Sequence, residues 1–170
     1  MRPLPQVLVL WGVPGAGKSY FAEWLANHKG FARIDTHSMG AGSSPLEWSW
    51  YAVLNGQAEP ETFVKLANAY GSPVVLEYGL WANRQNIERL SRIVAAGAEA
   101  WWFDGDREAA CQSWRQANAT GGKAFPEDLW AQVVGVIDAN CHLLTALYGG
   151  GCSALSWRAL RMHRPRRPSS

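Results

Sequence analysis

The chain has 170 residues, 48% of them hydrophobic and 18% charged, a length and composition typical of one globular domain. The ten tryptophans and low charge argue against intrinsic disorder, and no apolar run reaches the roughly 20 residues of a membrane-spanning helix, which excludes an integral membrane protein. The net charge of +2 is uneven, because five arginines and no acidic residue follow Trp157.

The first third of the chain predicts a strand, a helix and a second strand. The continuous apolar run over 6–11 is typical of a strand that is buried on both faces of a parallel sheet. Apolar residues at helical spacing predict a helix over 17–26, and a short strand over 31–34 ends at Asp35. A loop over 36–45 leads into an aromatic cluster. The cluster consists of Trp48, Trp50 and Tyr51.

The rest of the chain continues this alternation. In chain order it predicts a helix over 59–70, a strand over 74–77, a helix over 83–96, a strand over 98–103, a helix over 106–117, a glycine-containing loop over 119–125, a helix over 126–147 and a strand over 152–157. Strands that alternate with helices imply an α/β fold, a three-layer α/β/α sandwich with a five-stranded parallel sheet. We expect one domain over 1–161 and a basic, disordered tail over 162–170.

The cysteines and the N-terminus predict the compartment. Cys111, Cys141 and Cys152 show no CxxC spacing, which favours three reduced thiols over a disulfide framework or a zinc site. The N-terminal apolar run is short for the core of a signal peptide. We therefore expect a cytoplasmic protein.

Residues 12–19 match the phosphate-binding pattern GxxxxGK[ST] in full, between a predicted strand and a predicted helix. In such a loop, main-chain N–H groups at the helix N-terminus bind phosphate oxygens, the lysine reaches the β- and γ-phosphates, and the hydroxyl binds Mg²⁺. The pattern predicts that the chain binds a nucleoside triphosphate with Mg²⁺. The predicted nucleotide-binding residues are Gly12, Val13, Pro14, Gly15, Ala16, Gly17, Lys18, Ser19 and Tyr20.

The size and predicted strand count of the chain resemble those of the small P-loop kinases within the P-loop NTPase fold. The loop, with Pro14 as its third residue, resembles that of their polynucleotide-kinase and predicted-kinase branch. The small P-loop kinases include nucleoside monophosphate kinases, gluconate kinase, zeta toxins and polynucleotide 5′-hydroxyl kinases. The chain has no Asn-Lys-x-Asp run of the kind that switch GTPases need, and it is shorter than motor ATPases. The resemblance implies that ATP and Mg²⁺ are used to phosphorylate a hydroxyl of a small molecule or of a polynucleotide 5′ end.

The same resemblance implies which residues are catalytic. Asp35 matches the general base that accepts the proton of the acceptor hydroxyl, although a turn-capping role explains an aspartate there as well. Lys18 and Arg115 match groups that stabilise the transferred phosphoryl, Arg115 from a lid. The related kinases usually have a second lid arginine where this chain has Asn118 and Ala119.

Further residues are candidates for binding the substrate or the metal. Glu77 stands where the resemblance implies a Mg²⁺ or substrate contact, so that Ser19 and Glu77 are the predicted metal ligands. Arg84 binds an acceptor anion or belongs to a solvated helix face. Lys123 lies in the glycine-containing loop, and His37 lies in the acceptor segment as a substrate contact or a hydrogen-bonded loop residue.

Three questions stay open at this stage. The aromatic cluster either stacks on a ring of the acceptor or packs in the core. The arginines after Trp157 either attract a polyanion or form a solvated tail. A regulatory or assembly protein that binds nucleotide and hydrolyses it slowly is the alternative to a kinase, because the second lid arginine is missing and glutamate replaces the commoner aspartate at position 77.

Overall fold

The computed structural model describes residues 4–36, 44–79, 81–121, 126 and 128–148. These residues form four strands and seven helices. In chain order they are β1 (Val7–Gly12), α1 (Lys18–Lys29), β2 (Ala32–Asp35), α2 (Pro45–Leu54), α3 (Pro60–Asn68), β3 (Val74–Glu77), α4 (Arg84–Ala95), β4 (Glu99–Phe103), α5 (Arg107–Thr120), α6 (Leu129–Ala139) and α7 (Cys141–Tyr148).

The four strands form one parallel sheet in the order β2-β3-β1-β4. The α/β fold with a parallel sheet is therefore confirmed, but the described sheet has four strands instead of five. The predicted strand over 152–157 and the predicted tail over 162–170 lie outside the described residues.

The sheet has a hydrophobic core on each face. On one face, α1 packs against β1 and β3 through residues such as Leu8, Leu25 and Val75. On the other face, helices from α2 onward pack against the alternate strand residues, among them Val9 and Leu76. Each central strand is buried on both faces, which explains why β1 and β3 read as continuous apolar runs instead of alternating patterns.

The predicted helix over 126–147 is wrong in one respect, because the structure divides it into α6 and α7. The two helices meet at Asn140, which ends α6: its main-chain N–H contacts carbonyls of the last turn, and its side-chain amide donates to the carbonyl of Val136. An asparagine that bonds to nearby main-chain groups favours a helix end over a helix interior.

Helix α2 was not predicted, although the sequence contains its start signal. Ser44 and Glu47 form a reciprocal capping box, in which each side chain accepts a hydrogen bond from the main-chain N–H of the other residue. Pro45 occupies the first helical position, where proline is favourable. The helix buries Trp50 and leaves Trp48 55% exposed, so the aromatic cluster is divided between core and surface.

Two further expectations concern cysteines and membranes. Cys111 is a half-buried free thiol, whereas Cys141 is disulfide-bonded, so the prediction of reduced thiols is wrong at Cys141. None of the helices in the described ranges combines the length and the apolar character that crossing a bilayer requires.

The two tryptophans of α2 provide a matched test of the packing. Trp50→Ala is expected to lower the free energy of unfolding by about 3–5 kcal/mol, because the Trp50 ring is fully buried against the rings of Phe63 and Tyr78. Trp48→Ala is expected to change it by about 0.5 kcal/mol or less, since that ring lies at the surface. Chemical denaturation of both variants measures the difference, and equal losses would contradict the assigned helix face.

Candidate active site

The carboxyl ends of the parallel strands bring the candidate residues to one edge of the sheet. Leu10 of β1 is in register with Glu77 of β3, and Glu77 is in register with Asp35 of β2. On the other side of β1, Gly12 is in register with Phe103 of β4. In open parallel α/β sheets this edge is where ligands bind.

The loop from β1 to α1 approaches its neighbours so closely that two positions require glycine. A Cβ atom on Gly12 would lie 2.0 Å from the carbonyl oxygen of Phe103, and one on Gly15 would lie 1.9 Å from the carbonyl oxygen of Ala110. Both glycines also have positive φ angles, +137° and +82°. The glycines of the motif therefore shape the loop and let it pack against β4 and α5.

Two hydrogen bonds attach this loop to distant parts of the chain. The main-chain N–H of Val13 donates to the carbonyl of Phe103 at 2.9 Å. The indole N–H of Trp130, in the first turn of α6, donates to the carbonyl of Pro14 at 3.1 Å. The loop is thus held in position by β4 on one side and α6 on the other.

The N-terminus of α1 is arranged to receive an anion. The first helical hydrogen bond runs from the N–H of Phe21 to the carbonyl of Gly17, so the helical pattern provides no acceptor for the three preceding N–H groups. Gly17 provides no side-chain cap, and the first turn contains no acidic residue. Ser19 and Tyr20 are exposed beside these groups. An anionic oxygen bound there would gain both hydrogen bonds and the favourable helix dipole.

Lys18 is folded back over this loop. Its half-buried ammonium group donates to the carbonyls of Gly12 and Val13, at 3.0 and 2.8 Å. Burial lowers the pKa of Lys18 from 10.5 to about 8, although the negative charge of Glu77 partly opposes this shift. The Lys18 ammonium is therefore charged at neutral pH but poorly compensated, a state that an arriving anion would stabilise.

Asp35 and Glu77 end adjacent strands at the same level of the sheet. Glu77 is buried, and its carboxylate forms an ion pair with the Nε of Arg33. Arg33 and Asp35 are two residues apart on β2, so both project from the face that carries Glu77. This face is the one covered by α1, which begins with Lys18.

Thr36 ties the ends of β2 and β3 together. Its hydroxyl donates to the main-chain carbonyl of Glu77 at 3.0 Å and accepts from the N–H of Gly79 at 3.1 Å. Because Thr36 directly follows Asp35, these two bonds fix the chain where the candidate base leaves the strand. No sequence motif marks Thr36, Arg33 or Trp130 as site residues, and only the pairing of β2 with β3 brings the first two to Glu77.

The remaining predicted residues are placed less centrally. Arg115 is exposed on α5. Its neighbour Trp114 lies close to the loop, since a Cβ atom added to Gly15 would be 3.1 Å from the Trp114 Cβ. Arg84 is exposed at the start of α4 and forms an ion pair with Glu88 at 2.8 Å. His37 and Lys123 lie outside the described residues.

The side chains present fit a magnesium ion bound together with phosphates. Mg²⁺ prefers oxygen ligands and often takes only one or two from the protein, with waters and substrate phosphates completing its shell. The Ser19 hydroxyl beside the loop and the Glu77 carboxylate at the end of β3 are such oxygen donors. The described residues contain no cluster of three metal-ligating side chains that would form an all-protein site.

No model of a known protein family matches the chain, and no curated protein sequence matches it. Several solved structures resemble it. A gluconokinase from Sinorhizobium meliloti 1021 is 18% identical to this chain, with a TM-score of 0.47. The match covers 79% of this chain and 76% of the gluconokinase chain. A shikimate kinase from Bacteroides thetaiotaomicron is 16% identical to this chain, with a TM-score of 0.45. The match covers 82% of this chain and 81% of the shikimate kinase chain.

A chain in the structure of the Pnkp1/Rnl/Hen1 RNA repair complex is 18% identical to this chain, with a higher TM-score of 0.55. The match covers 84% of this chain. The chain spans 47% of the repair-complex chain that it matches. At this identity the similarity establishes a shared fold.

The close approach at Gly15 is testable by substitution. Gly15→Ala is expected to lower the free energy of unfolding by at least about 2 kcal/mol more than Gly71→Ala does, because α5 must shift to admit the new methyl group. Gly71 is the matched control, since its φ of +86° is similar and no atom lies within 4 Å of its Cβ position. Equal losses in chemical denaturation would indicate backbone strain alone.

The buried charge of Lys18 predicts a pH dependence of stability. Between pH 8 and 10.5 the unfolded chain binds more protons than the folded chain, so the stability of the wild type should rise with pH relative to Lys18→Met. The expected relative gain is about 1–3 kcal/mol. Denaturation of both proteins from pH 7 to 10.5 measures it, and a difference that is independent of pH would contradict the lowered pKa.

Proposed function

We propose that this protein is an ATP- and Mg²⁺-dependent kinase that transfers the γ-phosphoryl group to a hydroxyl of its acceptor. The observation that carries the proposal is the meeting of Asp35, Glu77 and the Lys18 loop at one edge of the sheet. A phosphate-binding loop alone is compatible with many reactions. A carboxylate beside it provides the group that a transfer to an alcohol needs.

The loop is expected to bind the triphosphate. Main-chain N–H groups at the start of α1 donate to the phosphate oxygens, and the exposed Ser19 hydroxyl lies in the same turn. Lys18 exchanges its two carbonyl contacts for the phosphate and stabilises the negative charge that develops during transfer. We place Arg115 in the same role from α5, which packs against the loop at Gly15.

Asp35 is proposed as the general base. It accepts the proton of the acceptor hydroxyl while that oxygen bonds to the γ-phosphorus, and the bond from the γ-phosphorus to the β–γ bridging oxygen breaks, so that ADP leaves. Arg33 pairs with Glu77 and so reduces the repulsion between the Glu77 and Asp35 carboxylates. Arg84, His37 and Lys123 stay proposed contacts of the acceptor.

Bound magnesium would neutralise phosphate charge and orient the transferred group. Ser19 and Glu77 are the residues that we expect to hold it. The Glu77 oxygen Oε1 is engaged by Arg33, so Glu77 acts with its second oxygen or through a water of the metal shell.

The proposal is tested by measuring ATP-dependent phosphorylation of a panel of alcohols and 5′-hydroxyl oligonucleotides. Asp35→Asn is expected to lower kcat about 10²- to 10⁴-fold with little change in the KM for ATP, because it removes the base and leaves the loop intact. Lys18→Ala is expected to abolish turnover.

Two exposed positions provide matched controls. Lys65→Ala on α3 removes an exposed lysine. Asp138→Asn on α6 removes an exposed carboxylate, and its ion-pair partner Arg107 still has Asp104 as a partner. Both variants should retain wild-type turnover. ADP release that requires no acceptor and is insensitive to Asp35→Asn would overturn the kinase proposal in favour of a regulatory or assembly ATPase.

A further inference from the structure

Hydrogen bonds to Asn86 fix the main chain at Trp81, which lies between β3 and α4. The buried Tyr78 hydroxyl donates to the carbonyl of Asn86 at 2.9 Å, and the Asn86 side-chain amide donates to the carbonyl of Trp81 at 2.8 Å. Arg89 donates to the side-chain oxygen of Asn86 at 2.6 Å. Asn86 is itself buried, so breaking these bonds would leave its polar atoms without partners. The main chain at Trp81 is therefore fixed before any ligand arrives.

Trp81 and Asp35 lie at the same edge of the sheet, because Trp81 follows the carboxyl end of β3 and Asp35 ends the neighbouring strand β2. The N–H of Gly79 donates to the Thr36 hydroxyl, and Thr36 directly follows Asp35. Consecutive Cα atoms are about 3.8 Å apart, so the Cα of Trp81 lies within about 7.6 Å of the Cα of Gly79. An acceptor of nucleoside size whose hydroxyl faces Asp35 would extend along the edge of the sheet at which Trp81 lies.

The Trp81 side chain is partly exposed at this edge. It is 39% exposed, and among the tryptophans in the described part of the chain it is the one whose side chain makes neither a ring contact nor a hydrogen bond. Trp50, Trp24 and Trp130, by contrast, pack on other rings or bond to the main chain. A large apolar ring whose main-chain carbonyl is held by a hydrogen bond provides a stacking surface with little main-chain entropy to lose.

We infer that the phosphate acceptor carries a planar aromatic ring, as a nucleoside does, and that the ring stacks on Trp81 while a sugar hydroxyl faces Asp35. This inference rests on the proposed function and adds the substrate class. Ring stacking suits nucleobases in general, because every base presents a π-face. Arg84 begins α4 three residues beyond Trp81, where a phosphate attached to the acceptor would compete with Glu88 for its guanidinium group.

The test compares two acceptors that share a sugar and differ in the ring. Calorimetry with the full chain, its donor site saturated with the non-hydrolysable ATP analogue AMP-PNP and Mg²⁺, measures the binding of uridine and of methyl riboside. Uridine is expected to bind more tightly. Trp81→Ala should weaken uridine binding by about 5- to 150-fold and leave methyl riboside unchanged, whereas Trp81→Phe should keep most of the uridine affinity.

Tyr70→Ala is the matched control. Tyr70 is 41% exposed, similar to Trp81, but it precedes β3 and so lies at the opposite edge of the sheet. The Tyr70→Ala variant should bind uridine and methyl riboside with wild-type affinity. Equal affinity of the wild type for uridine and methyl riboside, or unchanged uridine binding in Trp81→Ala, would overturn the inference.

The failure of this inference is distinguishable from that of the proposed function. Uridine binding that depends on Trp81 supports the ring site even if no phosphorylated product forms with ATP, in which case the kinase proposal fails alone. Phosphorylation of ring-free alcohols that is unaffected by Trp81→Ala supports the kinase and removes the ring-bearing acceptor. With ATP, a loss confined to the KM for uridine, without a change in the KM for ATP, assigns Trp81 to the acceptor side.

Discussion

The parallel register of β2, β3 and β1 is the constraint on which the candidate site depends. Asp35 ends β2 and Glu77 ends β3 at the level of Leu10 in β1, so three separate segments reach the same edge of the sheet. A shift of one residue in β2 would turn Asp35 to the opposite face, away from Glu77 and α1. The buried apolar residues Ile34 and Leu76 oppose that shift, since it would turn Ile34 out of the larger core. Core packing therefore sets the geometry of the polar edge.

The phosphate-binding loop is supported by the elements that border the segment over 121–128. Helix α5 ends just before that segment and contacts Gly15, while α6 starts just after it and donates from Trp130 to Pro14. Both flanks of this segment thus contact the loop directly, so a movement of α5 or α6 would be transmitted to the main chain at Pro14 and Gly15.

The sequence was most informative where local chemistry determines the conformation. Glycine positions predict the loop over 12–19, and hydrophobic periodicity predicts β3 and α4. In the structure both β3 and α4 lie within one or two residues of the predicted bounds. Helix α2 was also encoded, by Ser44 and Glu47, but its aromatic residues obscured the period. The partners of Glu77 were not predictable, because they depend on which strand lies beside β3. The roles of Trp48, Trp50 and Trp81 differ only through tertiary packing, which composition does not report.

The charges at the site explain how a glutamate functions at the end of β3. Its extra methylene relative to aspartate lets the buried Glu77 carboxylate reach the partly exposed Arg33 on the neighbouring strand. Since Arg33 already compensates Glu77, the nearby Lys18 gains only part of the attraction that a free carboxylate would provide, which is consistent with its lowered pKa. Removing Arg33 would leave two carboxylates at register-paired positions and give Lys18 a stronger partner in Glu77. The ion pair thus keeps Lys18 available for an incoming anion and protects Asp35 from a neighbouring uncompensated charge.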